Sequence, residues 1–416
     1  MEKTMNILRL ISRILIGALF VFSGYVKAVD PLGFTYKIGD YLESFGLTFF
    51  SPLALTLAIL VIAAEIVMGL CLLARVRMKI VSWCVLLFML FFTILTFYIA
   101  VKGNVVKDCG CFGDAIILSN SATFFKNLVA MIFVVIIFVG RNKYEPVAKC
   151  VTEWIILIAF YVGSVGVELY CLRNLPIIDF MPYRVGKNIP QSMERPEGAQ
   201  SDIYETTYFY SKDGKTQEFD GTNYPWNDST WTFVDTKSVL IQKGYEPPIH
   251  DFEIKTTDGE DITYDVIYSE NYTFLLTMQK IEKINIGSMD KINEIANYCM
   301  ISDNFDFYAY TSSGYDAIEE FVTKYNALYP FCFGDETTIK TIVRSNPGLI
   351  LIKDGNIIAK WSHRNIPSIE KINKIIETDY ETIVADTKSK EKRATIILAI
   401  IALLIVVPLN FIKKKK

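Results

Sequence analysis

Six apolar runs constrain this chain more than any other feature, because each approaches the length that crosses a lipid bilayer. A transmembrane helix needs about 20 consecutive apolar residues, within a range of roughly 17–25. One polar stretch of about 220 residues separates the fifth run from the sixth. The runs are Ile7–Val26, Pro52–Leu73, Ile80–Val101, Phe124–Val139, Trp154–Cys171 and Ala394–Ile412. The pattern predicts a protein embedded in the lipid bilayer that also carries a soluble module.

The charge and the His content exclude two broad classes of function. The net charge is −3, and the chain contains only two His residues. Nucleic-acid-binding proteins are usually strongly basic, and a His-rich metal enzyme needs more ligands than two His supply. We therefore expect no nucleic-acid partner and no bound metal.

Basic residues beside the apolar runs predict the orientation of the chain. Four clusters fall on one side if all six runs span, and Lys and Arg mark the cytoplasmic side. The clusters are Lys3, Arg9 and Arg13; Arg75, Arg77 and Lys79; Arg141, Lys143 and Lys149; and Lys413–Lys416. We expect a bacterial inner-membrane protein with both termini cytoplasmic and the soluble module periplasmic. The first run is too long for a signal peptide and lacks a small-x-small cleavage site, so we interpret it as a retained anchor.

A short polar loop between the third and fourth runs contains two thiols, in Cys109-Gly110-Cys111-Phe112-Gly113. The intervening Gly allows the two sulfurs to approach each other. A disulfide across one residue closes a small, strained ring that is easily reduced. The predicted orientation puts the loop in an oxidising compartment, where disulfides persist. Together these features predict thiol–disulfide exchange by Cys109 and Cys111.

The surroundings of the two thiols leave alternatives open. Asp108 and Asp114 would raise the pKa of both thiols, whereas Lys102 and Lys107 would lower it, so the attacking Cys is not determined. A static disulfide to Cys171, at the outer end of the fifth run, is one alternative, and unreactive thiols are another. A metal site is disfavoured because neither His has metal-like spacing to another Cys.

Glu65 lies well inside the second run, where an ionisable side chain is costly unless it is paired or hydrated. Arg13 is the predicted partner, because it enters the membrane from the same side in the first run. The pair would then be a structural ion pair that fixes helix packing. Alternatively, Glu65 would serve a proton route or a quinone site, since buried carboxylates have shifted pKa values.

Several motifs in the membrane half resemble those of a known family. Arg13, the segment Phe22-Ser23-Gly24-Tyr25-Val26-Lys27-Ala28 that ends the first run, and Glu65 are similar to features of DoxX-like membrane proteins. The Cys-x-Cys-Phe-Gly loop resembles, more narrowly, their MauE-like relatives. The resemblance covers about residues 5–145 and makes Ser23, Gly24 and Lys27 family-motif positions.

The resemblance implies a bundle of four transmembrane helices with a thiol redox role. MauE-like proteins are associated with the maturation of methylamine dehydrogenase, in which disulfides must form in the periplasm. The resemblance also allows quinone as the electron acceptor, although no quinone motif is visible and no other cofactor is implied. The implied partners are therefore periplasmic thiol proteins and quinone.

The soluble module divides at Pro247-Pro248. The part before this boundary has predicted strands at Tyr204–Tyr210 and Trp231–Asp235, and a hairpin turn at Ser211–Lys215. The part after it alternates strands with helices, as in α/β layer folds. Its predicted strands are Tyr272–Thr277, Phe305–Thr311 and the hairpin Leu349–Ile358, and its predicted helices are Asp290–Tyr298, Asp316–Tyr325 and Ser368–Glu377.

The second part of the module resembles TlpA-like thioredoxin domains. Phe252-Glu253-Ile254 followed by Asp258-Gly259 is similar to their opening hairpin, and Asn346-Pro347 falls where that fold carries its cis-Pro. Such domains carry Cys-x-x-Cys after the first central strand, whereas this chain has Met278–Lys283 at that place. We therefore assign no oxidoreductase activity to this domain and expect a binding or docking module.

The sequence as a whole predicts a multi-domain membrane protein with an α/β thioredoxin-like extracytoplasmic domain. Its predicted parts are a four-helix transmembrane bundle (1–145), a fifth transmembrane helix (146–173), a β-rich segment (174–247), the thioredoxin-like domain (248–380) and a C-terminal transmembrane anchor with a basic tail (381–416).

The leading interpretation is an inner-membrane thiol–disulfide redox protein of MauE-like type, linked to quinone. One alternative is a non-enzymatic assembly scaffold whose thioredoxin-like domain binds partners. A third interpretation, from the DoxX resemblance alone, is a subunit for quinone-linked sulfur oxidation. Whether the chain is an enzyme is left open by the sequence.

Overall fold

The membrane half consists of long apolar helices joined by short connections. The computed structural model describes residues 2–103, 106, 109–242 and 244–411. Within these residues, six helical spans are long and apolar enough to cross a bilayer, as the six apolar runs predict. The first helices are α1 (Glu2–Val29), α2 (Pro31–Ser44), α3 (Ala54–Ala74), α4 (Met78–Lys102), α5 (Asn120–Val139) and α6 (Cys150–Arg173).

Helix α2 is not among the predicted elements, although its start carries a readable signal. Asp30 precedes Pro31, and the Asp30 carboxylate accepts a hydrogen bond from the Gly33 N–H at 3.0 Å. Asp is a favoured N-cap residue, and Pro suits the first turn of a helix. The helix has only 14 residues and is therefore too short to be predicted as a membrane-spanning run.

Glycines allow α1 and α3 to pack closely. A Cβ added at Gly24 would lie 2.5 Å from Cγ1 of Ile66, and one at Gly69 would lie 2.8 Å from the backbone N of Val21. Small residues permit such backbone approach between membrane helices. The motif position Gly24 therefore lies in the α1–α3 interface. A buried apolar cluster around this interface includes Phe20, Leu72, Val85, Ile137 and Phe160.

Residues 188–252 form a compact unit of their own. The unit contains α7 (Ile189–Met193), β1 (Ile203–Lys212), β2 (Lys215–Phe219) and β3 (Thr232–Gln242). The strands pair in the antiparallel order β2-β1-β3. Tyr210 packs against Phe219 and Phe233, with ring centroids 6.0 and 5.6 Å apart. The predicted hairpin turn is present at Asp213-Gly214, where both residues have positive φ.

A six-stranded sheet flanked by helices follows this unit. Its strands have the order β4-β7-β6-β5-β8-β9. Strands β5, β6 and β7 run parallel, whereas β8 is antiparallel to β5 and β9 to β8. The elements are β4 (Lys255–Thr256), α8 (Thr263–Ile267), β5 (Tyr272–Met278), α9 (Met289–Met300), β6 (Phe305–Thr311), α10 (Tyr315–Tyr325), β7 (Phe331–Phe333), α11 (Glu336–Ile342), β8 (Gly348–Lys353), β9 (Asn356–Ser362) and α12 (Ile369–Ile376).

This topology is thioredoxin-like, as the sequence predicts. Parallel β-α-β units precede the cis peptide bond Asn346–Pro347, and the β8–β9 hairpin turns at Asp354-Gly355. Strand β7 and helix α11 were not predicted, because three and seven residues carry too little periodicity. The core of the domain includes Phe274, Leu276, Ile292, Phe307, Leu349 and Ile372.

Two boundaries differ from the predicted domain organisation. Residues 174–187 belong to the same compact unit as the membrane helices and the six-stranded sheet. The Gly186 N–H donates to the Ile357 carbonyl at 3.0 Å, and the Ile357 N–H donates to the Lys187 carbonyl at 2.9 Å. Because these backbone bonds extend the sheet, the β-rich unit begins at Asn188 rather than at residue 174. It ends at Phe252 rather than at residue 247.

The final helix, α13 (Tyr380–Phe411), is longer than the apolar run Ala394–Ile412 within the predicted anchor. It has 32 residues, because the polar segment before Ala394 continues the helix. Residues 412–416, which include the predicted basic cluster Lys413–Lys416, lie outside the described residues.

Candidate functional site

The connection between α4 and α5 brings the two thiols of Cys109 and Cys111 together. Their sulfur atoms lie 3.1 Å apart. Gly110 between them has φ +64°, and Gly113 donates its N–H to the Gly110 carbonyl at 3.0 Å, which closes a tight turn. Positive φ is accessible to Gly at little cost. Cys109 is buried and Cys111 is partly exposed.

Two helices hold the loop backbone in place. The Ser23 hydroxyl of α1 donates to the Cys111 carbonyl at 2.7 Å, and the Tyr41 hydroxyl of α2 donates to the Cys109 carbonyl at 3.1 Å. Ser23 is a motif position in the sequence, whereas Tyr41 was missed because its helix was missed. Each Cys therefore has its own anchor from the membrane domain.

The two thiols differ in acidity. A hydrogen bond from Cys109 lowers the pKa of Cys111 to about 6; Lys126 and Lys27 act in the same direction, while burial opposes them. The pKa of Cys109 is raised, first by the hydrogen bond to Cys111 and then by burial. Since the thiolate is the nucleophile, this difference in pKa favours Cys111 as the more nucleophilic of the two thiols at neutral pH. Lys126 was not singled out from the sequence, and the flanking residues Lys107 and Asp108 lie outside the described residues.

Glu65 pairs with Lys27 and not with Arg13, contrary to the prediction from sequence. The Lys27 ammonium donates to the Glu65 carboxylate, and both residues are only 5% exposed. The two helices are antiparallel, and Gly24 of α1 lies against Ile66 of α3. Arg13 lies eleven residues before Gly24, which is about 16 Å along the helix axis. The motif residue Lys27 therefore has the role that was predicted for Arg13.

Arg13 instead caps the C-terminal end of α3. Its guanidinium donates to the carbonyls of Leu72 and Leu73 at 2.7 and 2.8 Å. At the same end of the bundle, Arg75 donates to the Asn410 carbonyl of α13 at 3.0 Å. The basic clusters before α4 and at the start of α1 therefore lie at the end of the bundle opposite the dithiol loop.

A cavity of about 300 Å³ opens beside the two thiols. Apolar and aromatic side chains from α1 to α4 form most of its lining, including Phe20, Phe34, Leu57, Phe88 and Phe91. Its polar lining consists of the two thiols, the side chains described around them, and Asn127. The Asn127 amide donates to the Thr96 hydroxyl at 3.2 Å. The polar members are Ser23, Lys27, Tyr41, Glu65, Cys109, Cys111, Lys126 and Asn127. An apolar pocket with a few convergent polar groups is the usual form of a small-molecule site.

The other six cysteines are free thiols. Cys171, the predicted partner for a static disulfide, is a buried free thiol at the end of α6. Burial raises the pKa of Cys299 to about 12 and that of Cys332 to about 11. These two thiols of the thioredoxin-like domain are therefore protonated and unreactive near neutral pH. In the described part of the chain, no group of three or more His, Cys, Asp or Glu side chains could hold a metal ion.

Amide groups occupy the place where a thioredoxin-like domain would carry its dithiol. The Gln279 N–H donates to the Asn346 side-chain oxygen at 3.1 Å, and the Asn346 amide donates to the Lys280 carbonyl at 3.0 Å. This edge of the domain is thus internally hydrogen-bonded and carries no thiol among residues 278–283.

Apolar spanning helices, a paired-thiol loop and a thioredoxin-like sheet define a membrane protein with a soluble α/β domain. Residues 5–140 match the family described as methylamine utilisation protein MauE. The N-terminal third of the chain is therefore a MauE-like membrane domain. Residues 204–243, in the β-rich unit, match a domain family of unknown function, DUF8463. No curated protein sequence matches the chain.

Solved structures resemble the C-terminal part of the chain. One is the C-terminal domain of a protein described as a thiol-disulfide oxidoreductase from Bacteroides thetaiotaomicron; the match has 17% identity and a TM-score of 0.26, and covers 32% of this chain and 93% of that one. Another is a thiol-disulfide oxidoreductase from Bacteroides fragilis, with 14% identity, a TM-score of 0.24 and coverage of 30% and 96%.

Proposed function

We propose that this chain is a membrane thiol–disulfide redox protein that exchanges disulfides through Cys109 and Cys111. The observation that carries the proposal is the 3.1 Å separation of the two sulfur atoms. The low pKa of Cys111, about 6, supports its assignment as the sulfur that reacts with partners. Cys109 is then the leaving thiol when a client attacks Cys111, and in the reverse direction it is the resolving thiol that attacks the mixed disulfide on Cys111.

The exchange balances without a further group when a client protein supplies two thiols. One client thiolate attacks the oxidised Cys109–Cys111 pair, the loop disulfide breaks, and a mixed disulfide forms. The second client thiolate then displaces the loop sulfur. The client leaves with a disulfide, and the loop holds the two electrons and two protons as a dithiol.

Quinone is the electron acceptor that we propose for the reduced loop. A bound quinone supplies a sink for two electrons and two protons. The apolar cavity of about 300 Å³ beside the thiols supports this class of acceptor. Phe34 and Phe88 would hold an apolar ring, and Lys126 with Asn127 would hold its polar edge. The Lys27–Glu65 pair in the same lining would supply and accept protons.

We propose that the dithiol end of the bundle faces the periplasm of a bacterial inner membrane. The described basic residues of the α1 start, the α3–α4 turn and the α5–α6 connection support a cytoplasmic location for the opposite end. Both termini are then cytoplasmic, and the loop meets an oxidising compartment in which its clients fold.

Trapping of mixed disulfides tests the exchange. A Cys109→Ala variant retains the acidic Cys111 without its resolving thiol, so we expect covalent client adducts on a non-reducing gel. Cys111→Ala should give fewer adducts, and the double variant none. Cys332→Ala, which removes a buried thiol of the thioredoxin-like domain, is the matched control and should behave as wild type. Equal absence of adducts in both single variants would contradict the proposal.

A non-enzymatic scaffold is the second candidate function. The observation that favours it is the amide-bonded edge at Gln279 and Asn346, which replaces a dithiol. A scaffold should retain client capture when both Cys109 and Cys111 are replaced by Ala. An exchanger should lose client oxidation in the same variant.

A further inference from the structure

We propose that the edge of the thioredoxin-like domain that lacks a dithiol is a docking surface for the chain's own Cys-Gly-Cys loop region, with Arg344 as the positioning residue. The occupant of this surface is the membrane domain, and not a client protein. The docking is independent of redox chemistry, so it can be tested whether or not the loop exchanges disulfides.

Arg344 makes the central contact. It lies just before the cis peptide Asn346–Pro347, and it is only 8% exposed. Its guanidinium binds the carboxylate of Asp30 at 2.9 Å and that of Asp114 at 3.4 Å. The third guanidinium nitrogen, Nη1, donates to the Lys340 carbonyl at 2.8 Å, which fixes the side chain to α11. A buried guanidinium needs such paired acceptors, because an uncompensated buried charge is strongly destabilising.

Both carboxylates belong to segments that hold the two thiols in place. Asp114 follows Cys111 by three residues in the same loop. Asp30 caps α2 through the Gly33 N–H, and α2 carries Tyr41, whose hydroxyl donates to the Cys109 carbonyl. One guanidinium therefore holds both the loop and the helix that anchors it.

Tyr36 of α2 adds a second contact between the membrane domain and the edge of the thioredoxin-like domain that lacks a dithiol. The Gln279 amide donates to the Tyr36 hydroxyl at 3.4 Å, and Gln279 directly follows β5. The Lys340 ammonium lies 5.0 Å from the centre of the Tyr36 ring, and the Arg344 guanidinium lies 5.4 Å from it. Cations at these distances attract an aromatic face. The surface is thus basic where the membrane domain presents carboxylates and an aromatic ring.

The rate at which a bulky polar maleimide modifies Cys111 tests the docking in the full-length protein. We choose pH 8, above the Cys111 pKa of about 6, so that the rate reports access to the thiolate. Arg344→Gln removes the charge and leaves a shorter polar side chain, and we expect modification to become about tenfold faster as the loop opens locally. Arg344→Lys should restore most of the protection.

Lys360→Gln is the matched control. It breaks another buried ion pair of the same domain, Lys360–Asp179 at 2.6 Å, which does not involve the loop. We expect Cys111 in Lys360→Gln to be modified at the same rate as in the wild type. If Arg344→Gln does not accumulate, Asp30→Asn and Asp114→Asn each remove one negative charge that pairs with Arg344 and should give smaller increases. An unchanged rate in these variants, or the same increase in Lys360→Gln, would overturn the proposal.

Discussion

At the scale of single residues, Cys109 and Cys111 are chemically unequal although one residue separates them. Cys109 is buried and donates a hydrogen bond, whereas Cys111 is partly exposed and faces the positive charges of Lys126 and Lys27. The sequence predicts the pair, since both thiols lie in one short loop. It does not predict which thiol ionises, because that depends first on the hydrogen bond between the two thiols and then on Lys126 of the following helix, and both depend on the fold.

The pH dependence of Cys111 alkylation should report this inequality. Because only the thiolate reacts, the rate should rise with pH around a midpoint near 6, while Cys109 stays unreactive over the same range. Lys126→Gln removes a charge that favours the thiolate, so the midpoint should move upward by roughly 0.5–1 unit. Peptide mapping by mass spectrometry after iodoacetamide treatment measures both sites.

Lys102→Gln is the control for this change. The Lys102 ammonium contacts the Tyr98 ring, 5.9 Å from its centre, and is not among the charges that act on Cys111. In Lys102→Gln, the midpoint of Cys111 alkylation should stay at the wild-type value. A downward shift in Lys126→Gln would contradict the assigned role of that ammonium.

At the scale of elements, the positions of the helices follow from the sequence, but their relative register does not. Apolar runs predict the six spans, because bilayer thickness sets helix length. The predicted partner of Glu65, Arg13, is wrong. The choice between Arg13 and Lys27 depends on the register of α1 against α3. That register is set by Gly24 against Ile66, a contact that no single-helix pattern reveals.

Gly24→Ala should therefore destabilise the membrane domain. The new Cβ would lie 2.5 Å from Cγ1 of Ile66, and relief of the overlap should cost roughly 1–3 kcal/mol. Gly166→Ala in α6 is the control, because an added Cβ there meets no atom within 4 Å. Thermal unfolding in a detergent of fixed composition measures both. Equal melting temperatures for the two variants would argue against close packing at Gly24.

At the scale of the whole molecule, the proposed orientation assigns opposite sides of the membrane to the two ends of the bundle. Ser119, before α5, lies at the dithiol end, and Asn142, after α5, lies at the basic end. Both residues are exposed, so each can carry a reporter. The sequence predicts this arrangement through its Lys and Arg clusters, although the cluster at Lys413–Lys416 is not described by the structure.

Cysteines introduced at these positions should react from opposite sides. Ser119→Cys should be modified by a membrane-impermeant maleimide in intact spheroplasts, whereas Asn142→Cys should react only after the membrane is opened. Peptide mapping separates the new thiols from the native ones. The reverse pattern would place the dithiol loop in the cytoplasm and remove the oxidising compartment from the proposed function.

The position of the thioredoxin-like domain between two membrane helices has a consequence for binding strength. Helix α6 precedes the β-rich unit and the domain, and α13 follows the domain, so both ends of the soluble module are joined to membrane helices. Both tethers restrict the volume that the Arg344 edge can explore, which raises its effective concentration near the loop to roughly the millimolar range. A contact with a dissociation constant of about 0.1 mM would then be occupied about nine-tenths of the time, at any level of expression. The loop could thus be covered and uncovered rapidly by an interaction too weak to hold two separate proteins together.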